Sequence, residues 1–116
     1  MLDLNNILFL PALTSIIFLI AGCVTYVFPP QKINFLYGYR TNSSMKSQER
    51  WDFAQKHSSI QMIKMAVVMF VISLVFSFFT ISEDLNLIIG TIVLLIVVGF
   101  MFYKIEKAIK IKFSKE

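Results

Sequence analysis

Side chains able to do chemistry are scarce in this chain, and most stand in one stretch, residues 34–57. That stretch holds the single Trp, the single His, both Arg and two of the four Tyr. The residue types leave few reactions open. One His and one Cys, with Cys23 in an apolar run and His57 outside it, cannot make a metal cluster. A Cys–His nucleophile pair needs the two side by side. No Gly-rich phosphate loop occurs. No carboxylate falls inside the long apolar runs, whereas a small proton-coupled exporter calls for an ionisable group there. An enzyme, a metalloprotein and a transporter are all disfavoured, and no cofactor is expected.

Binding is what the stretch is suited to. Arg40 has a plain reading, as a positive-inside determinant meeting lipid phosphate, and a sharper one, in which it pairs with Glu49 or Asp52 or meets a ligand carboxylate. Trp51 reads first as an interfacial anchor and second as a recognition residue. His57 reads as a polar residue at a helix entrance, with pH sensing as the alternative. Tyr37 and Tyr39 suit headgroup depth, and Gly38 between them supplies a backbone shape its neighbours disfavour.

The elements that must position these residues are apolar helices. The chain is 57% hydrophobic and 16% charged, with a mean hydropathy of +0.73. Residues 7–28 carry no charge and would rise about 33 Å as a helix, enough for a hydrocarbon core of about 30 Å. Residues 65–82 and 85–103 are also free of charge. The expected fold is an all-α membrane protein, one domain over 1–116. Its three transmembrane helices would span about 7–28, 62–81 and 85–104, with a loop at 29–59 and a basic tail at 105–116.

Charge placement predicts the orientation. Lys32, Arg40, Lys46, Arg50 and Lys56 lie in the first loop, and Lys104, Lys107, Lys110, Lys112 and Lys115 follow the third span. The other side has Asp3, Glu83 and Asp84 and no base. A Lys/Arg excess marks the cytoplasmic side, so the N-terminus is expected outside and the loop and C-terminus inside. The basic patch points to anionic lipid, with no nucleic-acid partner expected.

Local signals refine the picture. Met1–Asn6 has no basic residue, which argues against a cleaved secretory signal. Ile20-Ala21-Gly22-Cys23 is similar to a lipoprotein processing box, but the apolar run continues past it, so Cys23 is expected to be buried and inert. Thr14, Ser15, Gly22, Thr25 and the pair Ser73 and Ser77 suit close helix contact, as do Gly90 and Gly99. Pro29-Pro30 ends the first helix. Asn42-Ser43-Ser44 reads as an N-cap cluster for an amphipathic interfacial helix from Met45 that could continue into the second span. Ser82 is expected to cap the third helix, with Glu83 and Asp84 at its positive end. In the tail, Ile105, Ile109 and Phe113 line one face, as in a helix lying on the membrane surface.

The run N-x-x-Y-G-Y-R-T, with Trp ten residues on and then Ala-Gln, resembles the signature loop of the SdpI family of bacterial multi-span membrane proteins. The matching positions are Asn34, Tyr37, Gly38, Tyr39, Arg40, Thr41 and Trp51, and more loosely Ala54 and Gln55. The family takes its name from an immunity protein against a secreted peptide toxin, which also holds a transcriptional repressor at the membrane. That founding protein is longer, and this chain is similar to a short, single-module form. The resemblance implies a bacterial plasma-membrane protein giving resistance to a membrane-active peptide, by binding the peptide or its target. Alternatives are a scaffold recruiting a cytosolic repressor-type regulator and an accessory subunit of a membrane complex. The partners implied are the bilayer, a peptide toxin and such a regulator, with oligomerisation open.

Overall fold

The structure is a computed structural model that describes residues 4–114. A 3-10 turn at Leu4–Asn6 precedes three α-helices, α1 (Phe9–Val27), α2 (Gln48–Phe76) and α3 (Glu83–Lys112), and the described residues contain no strand. All three are long and apolar enough to cross a membrane. The chain is therefore an all-α protein of multi-pass membrane type, as its charge-free runs predict.

Helix length shapes the molecule. The 19 residues of α1 rise about 28 Å, close to one hydrocarbon thickness. The 29 residues of α2 and 30 of α3 rise about 44 Å and 45 Å. These two are antiparallel neighbours, and their charged surplus turns fall at the same end. There they form a helical hairpin that continues past the apolar bundle.

Several expectations are refined as a result. The amphipathic helix expected from Met45 starts at Gln48 and continues into the second span, as its sequence allowed: α2 runs unbroken and stops at Phe76, short of the expected 81. Nothing between 48 and 76 is Gly or Pro, so each residue added satisfies another backbone pair at no extra nucleation cost. Its cap is Ser47, whose Oγ accepts from Arg50 N at 3.2 Å, while Ser43 and Ser44 are engaged elsewhere. The tail likewise prolongs α3 to Lys112 and does not lie flat. Ile105 and Ile109 are fully buried in one cluster with Ala54, Met65, Met69, Val97 and Met101. Full burial of such a side chain contributes about 1.5–3 kcal/mol relative to exposure in water, so packing on α2 stabilises the protruding tail.

Small residues set how closely α1 approaches. A Cβ on Gly22 would stand 2.9 Å from Ile63 Cγ1 and 3.1 Å from Ser59 O, and Thr25 Oγ1 meets Ser59 Oγ at 2.7 Å. Ser15, Ser73 and Ser77 are buried. At the far end Gly90 packs beside Pro11, where a Cβ would be 3.1 Å from Cδ. Asn86 ties α1 to α3 there, accepting from Phe9 N at 3.2 Å and donating to Ile7 O at 2.8 Å. Ser82 caps α3 as expected, accepting from Leu85 N at 3.1 Å. Gly99 faces open space, so it mediates no helix contact among the described residues. Cys23 is exposed on the outer side of α1, not buried, because Gly22 takes the inward position next to it.

Candidate functional site

The loop between α1 and α2 is polar yet ordered, because uncharged side chains meet its backbone groups. Asn34 Oδ1 accepts from Leu36 N at 2.9 Å and Tyr37 N at 2.7 Å, and Nδ2 donates to Lys32 O at 2.9 Å, an Asx-type turn. Tyr37 OH donates to Phe28 O at 2.6 Å, folding the loop back on the end of α1. Gly38 has φ +112°, and a Cβ there would fall 2.6 Å from Gln55 Oε1 and 2.7 Å from Pro30 Cγ. Only glycine meets both the backbone angle and the space.

Gln55 of α2 then pairs with the next residue in both directions. Tyr39 N donates to Gln55 Oε1 at 2.6 Å, and Gln55 Nε2 donates to Tyr39 O at 2.7 Å. Trp51, one turn earlier, is fully buried and donates its Nε1–H to Pro30 O at 2.8 Å. It fastens the loop to α2 inside the protein and is not an interfacial anchor. Buried Ser44 accepts from Thr41 N at 2.9 Å, and this is why the Asn42-Ser43-Ser44 cluster does not cap α2.

A carboxylate of α3 closes the arrangement. Glu106 Oε2 accepts from Tyr39 OH at 2.5 Å and Thr41 Oγ1 at 3.1 Å, and Oε1 accepts from Ser43 Oγ at 2.5 Å. Three hydroxyls thus join the signature loop to the third helix through one charge, and bonds to an ionised acceptor are stronger than neutral ones. Burial, then the hydrogen bond to Glu106 and its negative charge, push the Tyr39 phenol far above its ordinary value. The phenol stays a donor. Beneath this lid lies a cavity of about 390 Å³ between the helices, roofed by Tyr37, Gly38 and Tyr39 and walled by Phe18, Ala21, Met62, Met101, Phe102 and Ile105.

Asn34, Tyr37, Gly38, Tyr39, Thr41 and Trp51 therefore come together in one lid. Arg40 does not join them. It is exposed and pairs with neither Glu49 nor Asp52, and Asp52 instead accepts from Gln48 Nε2 at 2.8 Å. The loop's shape is already held by neutral groups, which leaves the Arg40 charge free to face outward. His57 stands apart, stacked on Phe53 with ring centroids 5.5 Å apart. Burial, then the charges of Lys64 and Lys104, hold its imidazole below the ordinary value. Glu106, Ser43 and Ser44 are parts of the lid that the sequence reading missed. The available signal was that Glu106 is the sole acid among residues 104–114.

What the lid and cavity can do is bind. The walls are apolar, the rim carries hydroxyl and amide groups, and the described residues contain no group of three His, Cys, Asp or Glu able to hold a metal ion. The profile of the SdpI/YfhL protein family matches residues 31–104, which takes in the loop, α2 and most of α3. Uncharacterized protein YfhL of Bacillus subtilis (strain 168) is 44% identical over 50 residues. That match covers 43% of this chain and 46% of YfhL, so the similar stretch is about half the length of that relative. No solved structure matches. The profile covers well over half of the chain, including the lid residues from Asn34 to Gln55 though not Glu106, and the chain belongs to the SdpI/YfhL protein family.

Proposed function

We propose that this protein is a non-enzymatic bacterial plasma-membrane protein that protects the cell from a secreted, membrane-active peptide by binding it or its target. The observation that carries this reading is the cavity under the Tyr37-Gly38-Tyr39 lid. It lies where the apolar bundle meets the polar hairpin, the depth a membrane-active peptide occupies with its apolar face inward. Apolar walls below a hydroxyl rim suit an apolar side chain or chain end whose backbone stays polar. Arg40, exposed and without a partner among the described residues, is available to a carboxylate or phosphate. In this reading the lid faces the cytoplasm and the N-terminus faces out, following the Lys/Arg excess at the hairpin end.

The test is survival. The gene is deleted, cells are challenged with a panel of secreted membrane-active peptides, and wild-type, Arg40→Ala or Glu106→Leu protein is restored at equal membrane abundance. Wild type restores resistance to at least one peptide and Glu106→Leu does not. Unchanged sensitivity to every peptide after deletion would overturn the proposal.

One observation favours a second reading. The α2–α3 hairpin carries Lys and Arg beyond the apolar bundle, a platform suited to an acidic soluble protein such as a cytosolic regulator. Under that reading, pull-down from the cytosolic fraction captures a partner that is lost when the hairpin lysines are changed to Gln, and peptide sensitivity does not move.

A further inference from the structure

Opposite the lid, the α2–α3 hairpin has a basic face that the clamp does not use. His57, Gln61 and Lys64 stand at i, i+4 and i+7 on one side of α2. Lys104, two residues before Glu106, points to the other side of α3 from the clamp. The edge contact of Phe53 with Phe113, at 5.9 Å between centroids, sets the helix register. Counted inward from that pair, Lys104 comes level with Met62, beside Gln61 and Lys64. No carboxylate of the described residues pairs with these cations; Lys104 Nζ rests 5.5 Å from the Phe100 ring centroid and Lys112 Nζ 5.3 Å from that of Phe53.

A second, independent feature lies among them. Gln61 is only 3% exposed, and its Oε1 has no hydrogen-bond partner among the described residues. A buried acceptor left unmet is costly, so a donor is called for at this spot. Toward the bundle the same side is greasy and uncovered, with Val68, Val71, Ile96 and Phe100 all exposed.

We infer that His57, Gln61, Lys64 and Lys104 form a site for one anionic phospholipid with a hydroxylated headgroup, of the phosphatidylglycerol type. The phosphate sits between the Lys64 and Lys104 ammonium groups, where each juxtamembrane cation contributes about 1 kcal/mol. The Gln61 side chain turns outward from its enclosed position, and its Oε1 accepts from a headgroup hydroxyl. The acyl chains run along Val68, Val71 and Phe100. A headgroup ammonium could also donate to Gln61, but it would lie against two lysines, whereas a neutral hydroxyl does not. His57 stands at the headgroup edge, with Lys64 on its own helix and Lys104 of α3 acting on its charge and Lys112 lying over the Phe53 ring on which it stacks. The inference depends on the membrane reading and is independent of peptide immunity.

The single His makes the site readable. The full chain in dodecyl maltoside micelles is titrated with phosphatidylglycerol, phosphatidic acid, phosphatidylcholine or inorganic phosphate. The His57 imidazole is followed by NMR, and retained lipid by native mass spectrometry. Phosphatidylglycerol saturates one site and raises the His57 pKa, because a phosphate offsets the nearby lysine charges. Phosphatidylcholine and inorganic phosphate leave the pKa in place. Phosphatidic acid, which lacks the hydroxyl, binds about fivefold more weakly. Changing Lys64→Gln with Lys104→Gln lowers phosphatidylglycerol affinity about thirtyfold. Gln61→Leu, a change that removes an unmet acceptor and keeps the fold, lowers phosphatidylglycerol to the affinity of phosphatidic acid. Circular dichroism in the same dodecyl maltoside micelles checks that each variant is folded. Equal binding of phosphatidylglycerol and phosphatidylcholine, the same shift with free phosphate, or an unchanged phosphatidylglycerol preference in Gln61→Leu would each overturn the assignment.

Discussion

Glu106 is the side chain on which the lid depends, since three hydroxyl donors from three positions of the loop end on its two oxygens. Replacing it with Leu removes the shared acceptor and is expected to destabilise the lid by about 1–3 kcal/mol. Glu106→Gln keeps one carbonyl acceptor and costs less. Limited trypsin digestion checks this directly, because cleavage after Arg40 and Lys46 should quicken in the order wild type, Glu106→Gln, Glu106→Leu. The Tyr39 phenol supplies a pH test at the same contact. The folded chain keeps a proton that the unfolded chain gives up near pH 10. A group whose folded pKa is raised contributes fully below the unfolded value and loses that contribution as pH climbs above it. Wild type should therefore lose thermal stability relative to Tyr39→Phe between about pH 10 and 11, while the two run parallel below about pH 9. Phenolate absorbance over the same range should be equal in the two proteins.

Among the helices, tight contact depends on where a glycine faces, not on its being present. Gly22 and Gly99 are alike in composition, yet one lies against Ile63 and Ser59 and the other against nothing. Gly22→Leu should push α1 off α2 and break the Thr25–Ser59 contact, a loss of about 1–3 kcal/mol from overpacking. Gly99→Ala should hold or raise stability by up to about 1 kcal/mol, since a helix interior favours Ala. Thermal unfolding of both in detergent checks the pair. The helices themselves were legible because long charge-free runs leave no alternative fold in a bilayer. Their continuation was not. A polar segment such as 48–61 suits an interfacial helix and a protruding one equally, and only the partner face of α3 decides between them.

For the molecule as a whole, the consequence is a bundle with its specific parts at one end. The lid, the Glu106 clamp, the basic face and both surplus helix ends all lie there. The Asn86 clasp between α1 and α3 closes the other end. The orientation proposed above has a direct check. In a Cys23→Ala background, Asn42→Cys and Ser82→Cys place single thiols at exposed positions of opposite ends. An impermeant maleimide added to intact cells should label Ser82→Cys and spare Asn42→Cys, and the reverse pattern would invert the topology.

The sequence by itself determined the number of helices, their apolar character, the family and most residues of the lid, because these follow from local composition and from one contiguous motif. Asn34, Tyr37, Gly38, Tyr39, Thr41 and Trp51 were legible as a group through their resemblance to the family's signature loop. The tertiary structure alone decided what each does. Trp51 turned inward because a backbone carbonyl of Pro30 came within reach of its N–H. Arg40 turned outward because Gln55 and Glu106 had already met the loop's polar groups. Glu106 lies 65 residues from Thr41 in the chain and 3.1 Å from it in space. No periodicity links positions so far apart, and only the antiparallel return of α3 beside α2 brings that carboxylate to the loop.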